Sequence, residues 1–487
     1  VPWLNPTWLN PLTDTAMMRH RFLLIGLVSA LAGCTTTPPP APVTDLPPQY
    51  AATTEGAATP LADPALPALH AMFPDPRLQA SLAAALAHNR NLRLALARVA
   101  EAAALYDIQT AAARPGVELG ASGTRSRTPA DLTVSGRTTV AGQYRAGVNL
   151  LAYEIDFWGR VRSLNEAALA QYLATDEARR AFETTLIAQV ANTYLLAREL
   201  DERIALAQQT LASREESFRI MRRRVEVGVN SELEQRQVET LLLATRSELA
   251  ALQRQAAQAD TLLTQLTGHA PLAAPPPRPL TGQGLDAEIA PGLPAALLTR
   301  RPDIRAAEQR LAAAQANVHA ARAAFFPNIV LTASGGTASA GLDGLFQAGS
   351  GSWSFTPSLR MPLFDGGRTR ANLNLAEARQ IAAVADYEAT VQTAFREVAD
   401  ALASRHWLSR QLAEQDALLR AESERARLAS LRYERGASSY LDVLDAQRAQ
   451  FAAEQARVQL LRAGMSATVE LYKALGGGPQ PDSEEMQ

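Results

Sequence analysis

Few residues in this chain are of a type and spacing that could do chemistry. Cys34 is the only cysteine among 487 residues, so no internal disulfide can form and its thiol must serve another purpose. Asp442 and Asp445 lie three apart in a helical stretch and so share one face. Two such carboxylates can attract cations, or they can be an ordinary solvated acidic face. Arg222, Arg223 and Arg224 could be a docking patch, although basic runs on helices are more often solvated. His20, His70, His88, His269, His319 and His406 show neither metal-ligand nor triad spacing, and no nucleotide-binding loop is present. The 47 basic and 49 acidic residues are interspersed and sum to −2, which leaves no footprint for nucleic acid. These residues predict a protein without catalysis, cofactor or metal.

Met17 to Gly33 reads as an export signal. Arg19, His20 and Arg21 form a charged start, and Phe22 to Ala32 is an apolar run too short to span a bilayer well. It ends Leu31-Ala32-Gly33-Cys34, which resembles the bacterial lipobox, whose cysteine is acylated and becomes the mature N-terminus. Acyl chains would then hold the protein at a membrane surface. Thr35 stands where similar lipoproteins retained at the inner membrane have an aspartate, so an outer-membrane address is expected. Residues 1–33 are read as signal peptide, with 1–16 as a mis-assigned start. Residues 34–70, rich in Pro, Thr and Ala, cannot build a core and read as a lipid-anchored tether.

The elements that must position the remaining residues come in two copies. Arg160 to Val227 and Arg368 to Arg435 each run for about 68 residues without Gly or Pro, and both are dense in strong helix formers. An unbroken helix of that length reaches roughly 100 Å. It is stable only if neighbours cover its apolar stripe along its length. Asn89 and Arg301 open shorter helical stretches at an offset of 212, and those stretches end at Pro115 and Pro327. The breaks Gly228 and Gly436 are offset by 208, and further helices follow over Ser231–Thr267 and Ser438–Ala463. Residues 71–270 therefore read as a first structural repeat, 271–294 as a connector, 295–475 as a second repeat and 476–487 as a disordered tail.

Between the short and long helical stretches of each copy lie β-like segments of about ten residues. Trp353, Phe355, Leu359, Met361 and Leu363 alternate with polar residues or Pro. Tyr144, Ala146, Val148 and Leu150 alternate likewise, as do Val117, Leu119 and Ala121 and Ile329, Leu331 and Ala333. Ten residues span a membrane when tilted. Four strands cannot close a barrel, and open edges are not tolerated in lipid, so several protomers would have to share one. At the offset of 208 Trp353 falls on Arg145, which puts the two alternations out of phase.

Together these features resemble the TolC-like outer-membrane efflux proteins, and within them the lipoprotein branch serving resistance–nodulation–division (RND) pumps, often labelled NodT. The resemblance rests on Arg301-Pro302-Asp303-Ile304, Phe325-Phe326-Pro327, Pro362-Leu363-Phe364-Asp365-Gly366-Gly367-Arg368 and Tyr440-Leu441-Asp442-Val443-Leu444-Asp445-Ala446. It implies a mixed α and β fold, with very long helices forming a periplasmic helical barrel. Four transmembrane β-strands per protomer would build a shared twelve-stranded barrel in a homotrimer. It implies a periplasmic membrane-fusion adaptor and an inner-membrane RND transporter as partners, contact with outer-membrane lipid, and the export of small molecules such as drugs or toxic compounds. By the same resemblance Asp442 and Asp445 would line the aperture at the periplasmic end, six carboxylates around one axis that favour cations. Tyr433 matches the family tyrosine three residues before the break glycine, and Ser438 stands where an arginine is often found. The first copy has Glu234 and Gln237 at the positions of the two aspartates. Rival readings are a duct for metal-cation export or type I secretion, and a pore-free lipid-anchored periplasmic scaffold.

Overall fold

The computed structural model describes residues 66–269, 276–285 and 296–477. The signal segment, Cys34, the tether up to residue 65, most of the connector and the tail after residue 477 lie outside the described residues. In chain order the main elements are α1 (Pro76–His88), α2 (Arg90–Ala111), β1 (Val117–Thr128), β2 (Thr139–Ile155), α3 (Arg160–Glu226) and α4 (Glu232–Thr267). They continue as α5 (Pro302–Ala323), β3 (Asn328–Ser339), β4 (Gly351–Arg360), α6 (Arg368–Glu434) and α7 (Tyr440–Ala474).

The Gly- and Pro-free runs are single helices, α3 and α6, of 67 residues each. Each starts after a glycine with positive φ, Gly159 at 73° and Gly367 at 90°. An upstream aspartate accepts from a first-turn amide: Asp156 from Arg162 N at 2.8 Å and Asp365 from Thr369 N at 2.8 Å. Such bonds satisfy donors that a helix start leaves free. Each long helix stops at Gly228 or Gly436, at φ 77° and 72°. There the next amide bonds back around the turn, Val229 N to Arg224 O and Ala437 N to Arg432 O, both at 2.8 Å. This six-to-one bond needs a left-handed residue, which only glycine adopts without strain. The chain then folds back, and α4 and α7 run antiparallel to α3 and α6. α7 continues past Ala463, where the sequence suggested an end, to Ala474. Gly464 costs a helix about 1 kcal/mol. Burial of Val469, Leu471 and Tyr472 beyond it outweighs that cost.

The four strands form one antiparallel sheet in the order β1-β2-β3-β4. β2 has 17 residues and carries a bulge: Leu150 pairs with Ala333 but Tyr153 with Leu331, so Leu151 and Ala152 together oppose Thr332. The extra residue resolves the phase conflict between the copies. Before it the even-numbered residues Tyr144, Ala146, Val148 and Leu150 pair with Gly123, Ala121, Leu119 and Val117. After it Tyr153 and Ile155 join the same face, next to Leu331 and Ile329, which pair onward with Pro357 and Leu359. One face of the sheet is thus apolar and exposed, with Leu119 85% and Trp353 82% exposed, except for Arg125 and Arg127 at the loop end of β1. The other carries Ser122, Arg145, Asn149, Ser334, Ser354 and Thr356. Among the described residues no helix is long and apolar enough to cross a membrane.

The main core lies where the two copies' shorter helices meet α3 and α6, around Phe73, Tyr194, Ile304, Val398, Leu471 and Tyr472. Each copy ties its last helix to the start of its short one. The Asn89 amide donates to Leu266 O at 2.9 Å, and Arg301 donates to Ala474 O at 2.9 Å. Buried Arg301 also pairs with Asp303 at 2.6 Å and Glu397 at 2.8 Å. That gives the Arg-Pro-Asp-Ile motif a structural use. Towards the glycine breaks the core thins to a cluster of Met221, Val238 and Leu444. The copies also differ in their packing. α5 is packed between α3 and α6, whereas α2 packs on α3 alone and has no comparable contact with α6.

Candidate aperture at the helix tips

The break at Gly436 brings the end of α6, the start of α7 and the end of α3 together. Tyr433, on the last turn of α6, accepts a hydrogen bond at its hydroxyl from Arg224 Nη1 at 2.7 Å. Its ring lies 4.8 Å from that of Tyr440, the first residue of α7. Tyr433 therefore joins the two copies through an arginine that the sequence offered only as part of a basic run. The rest of that run pairs within its own helix: Arg222 and Arg223 lie 3.6 and 3.1 Å from Glu226. Ser438, on the turn, has a buried hydroxyl without a partner among the described residues.

Asp442 and Asp445 both project from the start of α7 into an open groove against α6, lined also by Arg425, Leu428, Arg432 and Ser438. Both are exposed, yet their surroundings differ. Asp445 accepts from Arg425 of α6 at one carboxylate oxygen and from Arg448 of its own helix at the other, the latter at 2.5 Å. Asp442 makes no ion pair or hydrogen bond among the described residues. It sits at the third helical position, where a capping carboxylate would serve, but Ser439 makes no side-chain cap bond. In the first copy that position is used. Glu234 accepts from Ser231 N at 2.8 Å, and Ser231 Oγ accepts from Glu234 N at 3.3 Å. The Ser231 amide holds the Glu234 carboxyl below its ordinary range.

Three arginines at this end carry weight that the sequence reading missed. Arg425 and Arg448 counter Asp445. A signal for the first existed, because a helical hairpin folded near Arg435 brings residues 425 and 445 opposite each other. The third, Arg214, lies about 18 Å above the tip by helix rise. It is buried, donates to Leu241 O of α4 at 3.1 Å and to the Thr245 hydroxyl, and holds its guanidinium 5.4 Å from the ring centre of Phe451 on α7. No carboxylate pairs with it among the described residues, and burial lowers its pKa.

The arrangement brings charged side chains of both repeats together at helix tips that little apolar packing holds. A family model described as outer membrane efflux protein matches the chain twice, over residues 82–269 and 293–477. Outer membrane protein OprJ of Pseudomonas aeruginosa is 45% identical over 461 residues, which is 94% of this chain and 95% of that protein. The solvent efflux pump outer membrane protein SrpC of Pseudomonas putida is 45% identical over 85% of this chain and 88% of its own length. Among solved structures, the open state of the MtrE outer membrane channel of Neisseria gonorrhoeae is 37% identical. It superposes with a TM-score of 0.83 over 92% of this chain and 100% of that one. The chain belongs to the outer membrane efflux protein family.

Proposed function

We propose that three copies of this chain form the outer-membrane exit duct of a tripartite RND-type pump, through which small organic compounds leave unchanged. The observation that carries the assembly is the unequal packing of the two repeats. α5 is covered on both sides, by α3 and α6, and carries buried residues from Ile304 to Ala323. Its counterpart α2 is covered only by α3 and leaves Leu94, Leu105 and Ile108 exposed. On α6, Leu375 and Ile381 are exposed in turn. If the repeat relation continues into the next protomer, its α2 covers α6 as α5 covers α3. Such a head-to-tail contact closes a ring. It would also pair the free edges of β1 and β4, which cannot stay open in lipid. Three protomers give twelve strands, apolar outside and polar within.

The names of relatives, solvent and antibiotic efflux pump components among them, support small organic compounds as cargo. An adaptor and an inner-membrane transporter would recruit the duct. Cys34 would carry the lipid anchor. Asp442, Asp445 and Tyr433 would ring the aperture, closed by weak contacts between the hairpins and opened when they part. Two measurements on the purified full chain test this: its mass in detergent and its conductance in planar bilayers. A trimer mass with discrete cation-selective currents is expected. A folded monomer without conductance would return the scaffold reading.

A further inference from the structure

Arg214 is out of place by ordinary packing rules. A buried charge is normally paired, because removing an ion from water costs several kcal/mol that only a partner offsets. Here the guanidinium has a carbonyl, a hydroxyl and an aromatic face instead, and Nη2 is buried with no partner among the described residues. That nitrogen is already enclosed within one protomer, so a second copy cannot supply the missing acceptor. The matching residue of the second repeat is Glu422, whose side chain is 18% exposed and pairs with Arg425 at 3.0 Å. The oddity is therefore confined to the first repeat. It sits at a junction between hairpins: Leu241 and Thr245 belong to α4, and Phe451 to α7 of the other repeat.

We propose that Arg214 is a built-in opening bias, a positioning residue that disfavours the closed packing of α7 against the α3/α4 hairpin. This rests on the duct reading above. With α7 seated, Phe451 seals the guanidinium from water, and its ring returns only part of the lost hydration. A cation over an aromatic face is worth less than the full desolvation of an unpaired ion. When α7 withdraws, water reaches Nη2 and the penalty falls. The Arg214 bonds to α4 need not break, so the first hairpin stays intact while the second moves. Phe451 also packs on the cluster of Leu200, Ala207 and Leu252, and Arg203 bonds Gln455 beyond it. The motion is therefore that of α7 from its start to Phe451, where the buried apolar cluster among the described residues is only Met221, Val238 and Leu444.

The test uses single-channel recording of the full-length protein with Arg214→Met, Arg214→Lys, Phe451→Leu and the double variant Arg214→Met/Phe451→Leu. Arg214→Met keeps the apolar stem and removes the charge, and it should lower the open fraction at least fivefold. Arg214→Lys should keep opening near the wild-type level. Phe451→Leu should raise the open fraction severalfold alone and change it little when Arg214 is already Met. Hydrogen exchange over residues 444–452 of α7 reads the same bias without conductance and should slow in Arg214→Met. Unchanged or increased opening in a folded Arg214→Met trimer, with unchanged exchange, would overturn the proposal and leave the duct reading intact. A folded wild-type protein that never conducts would instead overturn the duct reading, and this inference with it.

Discussion

Asp442 and Asp445 share a helix face but not an environment, and that difference makes them separable. Each removes one negative charge per protomer when neutralised, so both substitutions should reduce cation preference. Only Asp445 also bridges α6 to α7. Exposed ion pairs contribute about 0.2–1 kcal/mol each, so the bridge is modest but lies where little else holds the hairpin. Asp442→Asn is therefore expected to cut cation selectivity severalfold while hydrogen exchange at the Gly436 turn stays as in the wild type. Asp445→Asn should cut selectivity and also speed that exchange by about two- to fivefold; equal exchange in both would show that the bridge is inert. The sequence displayed the aspartates and Tyr433, but not what they touch. Arg224 belongs to the other repeat, and only the packing of α3 against the second hairpin brings it to Tyr433. Far from the tip, burial pushes the Tyr472 phenol up to about 12 from its ordinary 10.0. The unfolded chain loses this proton first, so the native state binds more protons between those values. Stability is then unaffected below pH 10 and falls as pH rises towards 12, by at most about 1.4 kcal/mol per pH unit for this group. Tyr472→Phe should flatten the decline, as read by denaturant midpoints between pH 9 and 12.

The elements show where local pattern suffices and where it does not. The long helices were legible because nothing in 67 residues interrupts them, and their ends because glycine alone closes such a turn. The end of α7 was misread at Gly464 since the packing of Leu471 and Tyr472 against Phe73 and Ile304 is a tertiary fact. The phase conflict between β2 and β4 was visible, but its cause was illegible for a similar reason. A bulge leaves no residue signature at Leu151 and Ala152, and only the pairing with β3 reveals the extra position. Its importance can be tested by changing its length. Inserting one alanine after Ala152 would turn Tyr153 and Ile155 to the polar face and Glu154 to the apolar one. Little or no heat-resistant oligomer should then reach the outer membrane. Deleting Ala152 leaves Leu151 alone opposite Thr332 with both faces unchanged, and should assemble normally. If the insertion assembles as well as the wild type, continuity of the apolar face is not what the bulge provides.

At the scale of the whole molecule, one protomer carries the instructions for its own repetition. Its second repeat supplies the neighbour that the first lacks, so α2 and α6 are left with apolar faces that only another protomer completes. Those faces are recognisable because the covered version, α5 on α3, exists in the same chain. Ile108 on α2 is 70% exposed and Ile381 on α6 is 71% exposed. An unpaired carboxylate buried in such a contact costs several kcal/mol, and a closed ring repeats the cost at every interface. Ile108→Asp and Ile381→Asp should each convert the detergent-solubilised protein largely to monomer, as read by light scattering after size separation. Leu132→Asp, placed in the β1–β2 loop where the side chain is 73% exposed, should leave the assembly intact. Full oligomers from both helix variants would locate the protomer contact elsewhere and remove the packing argument for the ring. Monomer from the helix variants alone would tie assembly to the surface that the internal repeat leaves incomplete.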